Sequence, residues 1–220
     1  MQSAICNHKY RTWFEWSFLT IGLVIQVVTY CLMPHDSWLS LVSGCLGVCS
    51  VCLAAQGRIL TFVFGFGQVV TYGYLCLQAH LYAEVAINIY YFLTMIYGIV
   101  VWRRRMNASA ENRVHTRRLP WVVWLTIISA IVILSGAVGY GLSIYTDDPT
   151  PYLDSFTTIT SIAAQILLIL AYRDQWFLWL AVDITSVVMW IYVGDYCMTA
   201  QYAFWCCNCL YGFYRWKSLE

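Results

Sequence analysis

The sequence is poor in charge. Of 220 residues, 12 are Lys or Arg and 11 are Asp or Glu, 10% in all, where a soluble domain carries about 25%. The net charge of +1 offers no cationic surplus, which argues against a nucleic-acid partner. Histidine is scarce as well. His8, His35, His80 and His115 lie outside the apolar runs or at their ends. That leaves no catalytic pair or His/acid metal set at membrane depth, so an intramembrane enzyme is not expected, nor a bound cofactor. Short alternating segments are missing, which excludes a transmembrane β-barrel. No appended soluble domain is evident, which argues against a membrane sensor or scaffold.

Apolar residues are what the chain has instead, 61% of the total. Several runs approach or exceed the ~20 residues that cross a hydrocarbon core. The expected class is all-α, a polytopic membrane protein in the lipid bilayer with eight transmembrane helices. The spans are read at 13–33, 38–56, 60–78, 82–102, 120–145, 153–171, 175–193 and 198–215. Pro34 closes the first, and Pro120 opens the fifth where a first helical turn tolerates it. The first run is too long for a signal peptide, and Leu41-Val-Ser-Gly-Cys45 is a chance likeness to a lipoprotein box. Four regions follow: 1–36 with the extra leading span, 37–103 as a first three-helix bundle, 104–150 as basic linker and linker helix, and 151–220 as a second bundle.

Charge tests this count. With both termini cytoplasmic, all 12 bases fall on the inner side, from Lys9 and Arg11 through Arg103-Arg-Arg and Arg117-Arg118 to Arg215 and Lys217. The outer connections hold Asp36, Glu84, Asp147, Asp148 and Asp195. That obeys the positive-inside rule, and a wrong count would scatter the bases over both sides.

An internal repeat supports the same frame. Tyr82 and Tyr97-Gly98 are followed by Trp102-Arg103, and Tyr196 and Tyr211-Gly212 by Trp216-Lys217, at identical spacings. Residues 38–103 and 152–217 therefore read as two copies of a three-span unit. One further span between them gives both copies the same orientation, a parallel repeat. The architecture is one leading helix, then three, one and three. Repeated halves around a midplane site are a common transporter design, with one bundle rocking against the other.

Trp176, Trp179, Asp183, Ser186 and Trp190 fall on one face of a helix. An acid at membrane depth costs roughly 2.5–3.5 kcal/mol, so it faces a cavity or a partner. Framed by indoles, it suits an aromatic and cationic small molecule. The blander reading is a buried acid bonded to Ser186 or to another helix. Gln68 and Asn88 in the first copy, and Thr158, Gln165, Asn208 and Tyr211 in the second, complete the candidate set. As interhelical bonds alone, the amides would be worth about 0.6 kcal/mol each. Trp13, Trp16, Trp38, Trp102, Trp121, Trp124 and Trp216 are expected in interfacial belts. Trp176 admits both a belt reading and a substrate reading. The ten cysteines lie mostly inside the spans, without companions for a metal, and read as packing.

Trp176-x-x-Trp179, preceded by Asp154-Ser155 and Ser161-Ile-Ala-Ala, with Tyr97-Gly98 and Tyr211-Gly212 closing the halves, resembles the bacterial PnuC-type vitamin transporters from about residue 38 onward. The resemblance implies uptake of nicotinamide riboside (vitamin B3), with thiamine or riboflavin as alternatives within the family. It implies two triple-helix bundles like those of SWEET sugar transporters, facilitated diffusion across the cell inner membrane, and a homotrimer. It also implies a cytoplasmic kinase that traps the vitamin. Carried over by position, Trp176 and Trp179 are the aromatic substrate motif. Gln68 and Asp183 depart from the family pattern, where Asn is expected.

Overall fold

The computed structural model describes residues 2–32, 37–78, 82–109, 114–147, 150–194 and 196–220. Their regular structure is helical: α1 (Gln2–Leu32), α2 (Trp38–Ala55), α3 (Leu60–Gln78), α4 (Tyr82–Ser109), α5 (Trp121–Tyr145), α6 (Pro151–Ile169), α7 (Gln175–Val193) and α8 (Tyr196–Lys217). The anticipated positions hold, with shifts at the ends. The first helix begins well before the apolar run, and α4 continues past Trp102 into the Arg103-Arg-Arg-Met stretch, whose residues are good helix formers. Asp36, Asp148, Asp195 and the side chains of Lys9, Arg11 and Glu84 lie outside the described residues.

Among the described residues, seven helices hold a stretch long and apolar enough to cross a bilayer, and α8 is not among them. It has spanning length, but Gln201, Asn208, Arg215, Lys217 and several Tyr and Trp residues make it more polar than the eight-span reading assumed. The outward faces are as a lipid solvent demands. In α5, Val122, Leu125, Ile133 and Leu134 are exposed, while Ile131, Ser135 and Gly139 turn inward.

The chain divides into two compact units, residues 1–96 and 97–220, with the division inside α4. In the first, α1 packs on α2 and α2 on α3. Gly57 turns the α2–α3 corner with a φ of 68°. Beyond the corner Ser50 and Thr61 bond reciprocally: Ser50 Oγ donates to the Thr61 carbonyl, and Thr61 Oγ1 to the Ser50 carbonyl, each at 2.9 Å. Small side chains that bond across a helix pair are the usual cement where lipid removes the hydrophobic drive.

In the second unit α5 packs on α6, α6 on α7 and α7 on α8. Gly139 lets α6 approach: a Cβ there would stand 2.6 Å from the Tyr152 ring and 2.8 Å from Ser155 Oγ. One turn back, the Ser135 carbonyl accepts a 2.9 Å bond from Ser155. Leu119, Ile131, Ala164, Leu167 and Leu178 form the core, with Trp124, Ile127, Ile159 and Trp179 against it.

One end of this unit is tied by a collar. The last carbonyls of a helix lack intrahelical donors. Those of α6 find them on the continuation of α4. Trp102 Nε1 donates to Leu168 and Ile169 at 3.2 Å, and Arg105 Nη1 donates to Leu170 at 2.6 Å. Ala171 then takes a left-handed φ of 53°, and its carbonyl accepts a 2.9 Å bond from Arg117 N. Arg173 N returns a bond to the Arg117 carbonyl at 2.8 Å. Asp174 accepts from Leu119 N at 2.7 Å, and Thr116 Oγ1 donates to the Trp216 carbonyl at 2.8 Å. The Arg173 guanidinium pairs with Glu220 at 2.9 Å and lies over the Phe213 ring.

Two sequence readings are corrected here. Trp102 and Trp216 are not belt residues: both are 0% exposed, with ring centroids 5.9 Å apart. Trp13, Trp16, Trp38 and Trp121 are exposed, as belt residues are. Burial of Trp176 likewise removes the belt alternative held open for it, and several bases do structural work. Arg105 caps α6, and Arg173 and Arg215 are buried.

Candidate functional site

The helix α7 carries two inward edges. Leu178 and Val182 turn to the apolar core, Leu178 as one of its members. Trp176 and Asp183, two turns apart, turn to α8. There, Gly212 receives the Trp176 ring and Cys209 meets the Asp183 carboxylate. Residues 209 and 212 lie three apart, on one helical face.

Asp183 is 4% exposed, and its Oδ2 accepts a 3.2 Å hydrogen bond from Cys209 Sγ. The partner is therefore on another helix, and not Ser186, which lies one turn along α7. Sequence reading had taken Cys209 as packing. Its role was hidden because the α7–α8 register decides it, and the available signal was its place on the same face as Gly212.

Trp176 is buried at 3%, edge-on to Trp216 with centroids 5.7 Å apart. Its Nε1 has no hydrogen-bond partner among the described residues. Burial removes the belt reading for Trp176. Trp179 is half-buried and packs on the α5–α6 core, and Trp190 is half-buried. On α6, Gln165 is 3% exposed and Ser161 8%, while Thr158 on the same helix is exposed. Asn208 is fully buried and Tyr211 half-buried. The second unit thus gathers a carboxylate, two amides, a thiol and indoles in its interior.

The remaining candidates belong to residues 1–96. Gln68 is half-buried and leans on Gly47, where a Cβ would stand 3.4 Å from its Cγ. Asn88 is 5% exposed and lies across from Gly73, at 3.6 Å on the same measure. Each amide is seated against a glycine of a neighbouring helix. No cluster of His, Cys, Asp and Glu able to hold a metal occurs among the described residues.

In each unit, helices of lipid length turn an amide away from their apolar outer faces, and the second adds a buried acid and the Trp176 indole, the construction of a membrane transport protein. Residues 37–218 match the family described as "Nicotinamide mononucleotide transporter". The chain belongs to this family, and it is a multi-pass membrane transporter, not an enzyme. It is 32% identical over 209 residues to the nicotinamide riboside transporter PnuC of Haemophilus influenzae, covering 94% of this chain and 90% of that one. It is 30% identical over 224 residues to that of Neisseria mucosa, covering 94% and 82%. The riboflavin/roseoflavin transporter RibM of Streptomyces davaonensis is 24% identical over 157 residues, covering 70% and 72%. A crystal structure of the vitamin B3 transporter PnuC superposes with a TM-score of 0.76 at 30% identity, covering 94% of this chain and 91% of that one.

Proposed function

We propose that this protein carries nicotinamide riboside across a bacterial inner membrane by facilitated diffusion. The observation that carries the reading is the similarity to nicotinamide riboside transporters over 94% of the chain. The chemistry of the second unit agrees. Nicotinamide riboside is a cationic aromatic ring on a neutral sugar. A buried carboxylate offsets the ring's charge, an indole face takes the ring, and amides take the ribose hydroxyls. We assign these roles to Asp183, to Trp176, Trp179 and Trp190, and to Gln165 and Asn208, with Thr158 and Tyr211 beside them and Gln68 and Asn88 from the first unit.

The family description names the mononucleotide, which adds a phosphate. A phosphate at membrane depth calls for Lys or Arg. Helices α2, α3, α5, α6 and α7 contain neither, and the bases of α4 and α8 lie near their C-terminal ends. The riboside fits this charge pattern and the mononucleotide does not. A second reading is a riboflavin or thiamine transporter, favoured by the similarity to RibM.

The finer architecture belongs to the same proposal. Eight spans in a leading helix plus a 3+1+3 parallel SWEET-like repeat are supported by helix lengths of 18, 19 and 28 residues in α2–α4 and 19, 19 and 22 in α6–α8. The 22 residues of α8 extend ~33 Å, enough to cross a ~30 Å core. Both termini are cytoplasmic by the distribution of bases. A homotrimer and a trapping kinase complete the reading.

Calorimetric titration of purified protein with nicotinamide riboside, thiamine and riboflavin is the test. Tight binding of nicotinamide riboside, lost in Asp183→Ala without loss of fold, is expected. Binding of riboflavin or thiamine alone would overturn the substrate.

A further inference from the structure

Asp183 is nine-tenths buried, and among the described residues Cys209 is its one hydrogen-bond partner. The thiol engages Oδ2, and Oδ1 has no donor among the described residues. Cys209 is itself 3% exposed and held on α8, 26 residues along the chain. A carboxylate with a single partner turns freely about its Cβ–Cγ bond until that partner selects one plane. The thiol is a weak donor, so it sets the plane while withdrawing little of the acceptor strength that a ligand would use. Ser186 makes no bond to the acid, so nothing on α7 duplicates this hold.

We infer that Cys209 is a positioning residue for specificity: its thiol orients Asp183 so that Oδ1 is presented to the cationic ring of the substrate. This rests on the nicotinamide riboside reading. It adds the element that makes the carboxylate discriminate charge. In a low-dielectric interior a carboxylate aimed at a cation gains far more than one turned aside. A neutral ring gains little from either arrangement.

The test compares two ligands that differ in ring charge, nicotinamide riboside and its neutral dihydro form. Affinities are measured by calorimetry on wild type, Cys209→Ala and Cys209→Ser, with thermal unfolding as the check on fold. Freeing one side chain that binding must then order is expected to weaken the cationic ligand about five-fold in Cys209→Ala. The dihydro form should bind Cys209→Ala as it binds wild type. Cys209→Ser keeps a donor and should bind the cationic ligand within about two-fold of wild type. Equal losses for both ligands would make Cys209 a packing residue and overturn the inference. So would an unchanged affinity for the cation in Cys209→Ala. A wild type that binds neither riboside would overturn the function itself, an outcome visible before any variant is made.

Discussion

Replacing Gly212 with alanine isolates one contact that holds α7 to α8. The new Cβ would stand 2.6 Å from two atoms of the Trp176 ring and 2.8 Å from a third. Carbon atoms in contact rest about 3.5–4.0 Å apart, so the overlap is roughly 1 Å. A flexible side chain would swing away. This one is a rigid indole, 3% exposed and backed by Trp216 at 5.7 Å. Overpacking costs about 1–3 kcal/mol, and a target that cannot move sets the cost at the upper end. Better helix propensity of alanine offsets about 1 kcal/mol. The net is a loss of about 2 kcal/mol, or about 4–8 °C in Tm for a chain of this length. The assay is thermal unfolding of detergent-purified protein. Gly136→Ala and Gly141→Ala on α5 are the controls, because nothing lies within 4 Å of a Cβ at either site. They make the same chemical change with no obstacle and should gain up to about 1 kcal/mol. In a Trp176→Leu background the Gly212→Ala penalty should vanish, as coupled neighbours require. A Gly212→Ala variant that gains stability like the α5 controls would refute the packing argument.

Other bonds give sharper single-site tests. Trp102→Phe keeps an aromatic ring but removes the donor to the Leu168 and Ile169 carbonyls and trims a fully buried indole; a loss of at least about 1–3 kcal/mol in thermal unfolding is expected, from buried acceptors left unmet and the space left behind. Asp174→Ala orphans Leu119 N at a similar cost of about 1–3 kcal/mol, while Asp174→Asn keeps an acceptor and most of the stability. Thr61→Val keeps the shape but breaks the bond to the Ser50 carbonyl; about 0.6 kcal/mol is expected in an unfolding assay, the usual worth of an interhelical bond in a membrane.

The helices were legible because their signal is local. Apolar length and prolines at the ends need no knowledge of which helix touches which. The face carrying Trp176, Asp183 and Ser186 was legible for the same reason, since 3.6-residue periodicity is a property of one helix. What failed was the inference from position along a span to environment for particular tryptophans, while Trp13, Trp16, Trp38 and Trp121 are exposed as their positions suggest. Trp102 and Trp216 stand at span ends, where tryptophan usually meets the interface, yet both are fully buried. Their neighbours there include Leu168, 66 residues from Trp102, and Thr116, 100 residues from Trp216. Spacing rules do not reach that far.

By itself the sequence determined an all-helical, membrane-crossing chain, since that much charge-poor apolar length has no other solvent. It also determined that an acid would sit deep in α7 with indoles on its face. Tertiary structure alone decided that the acid's partner is Cys209, that Gly212 admits Trp176, and that three arginines and two tryptophans close a collar around the ends of α4, α6 and α8. Those outcomes depend on the register between helices. Contacts among residues distant in the chain set that register, and no single helix encodes it.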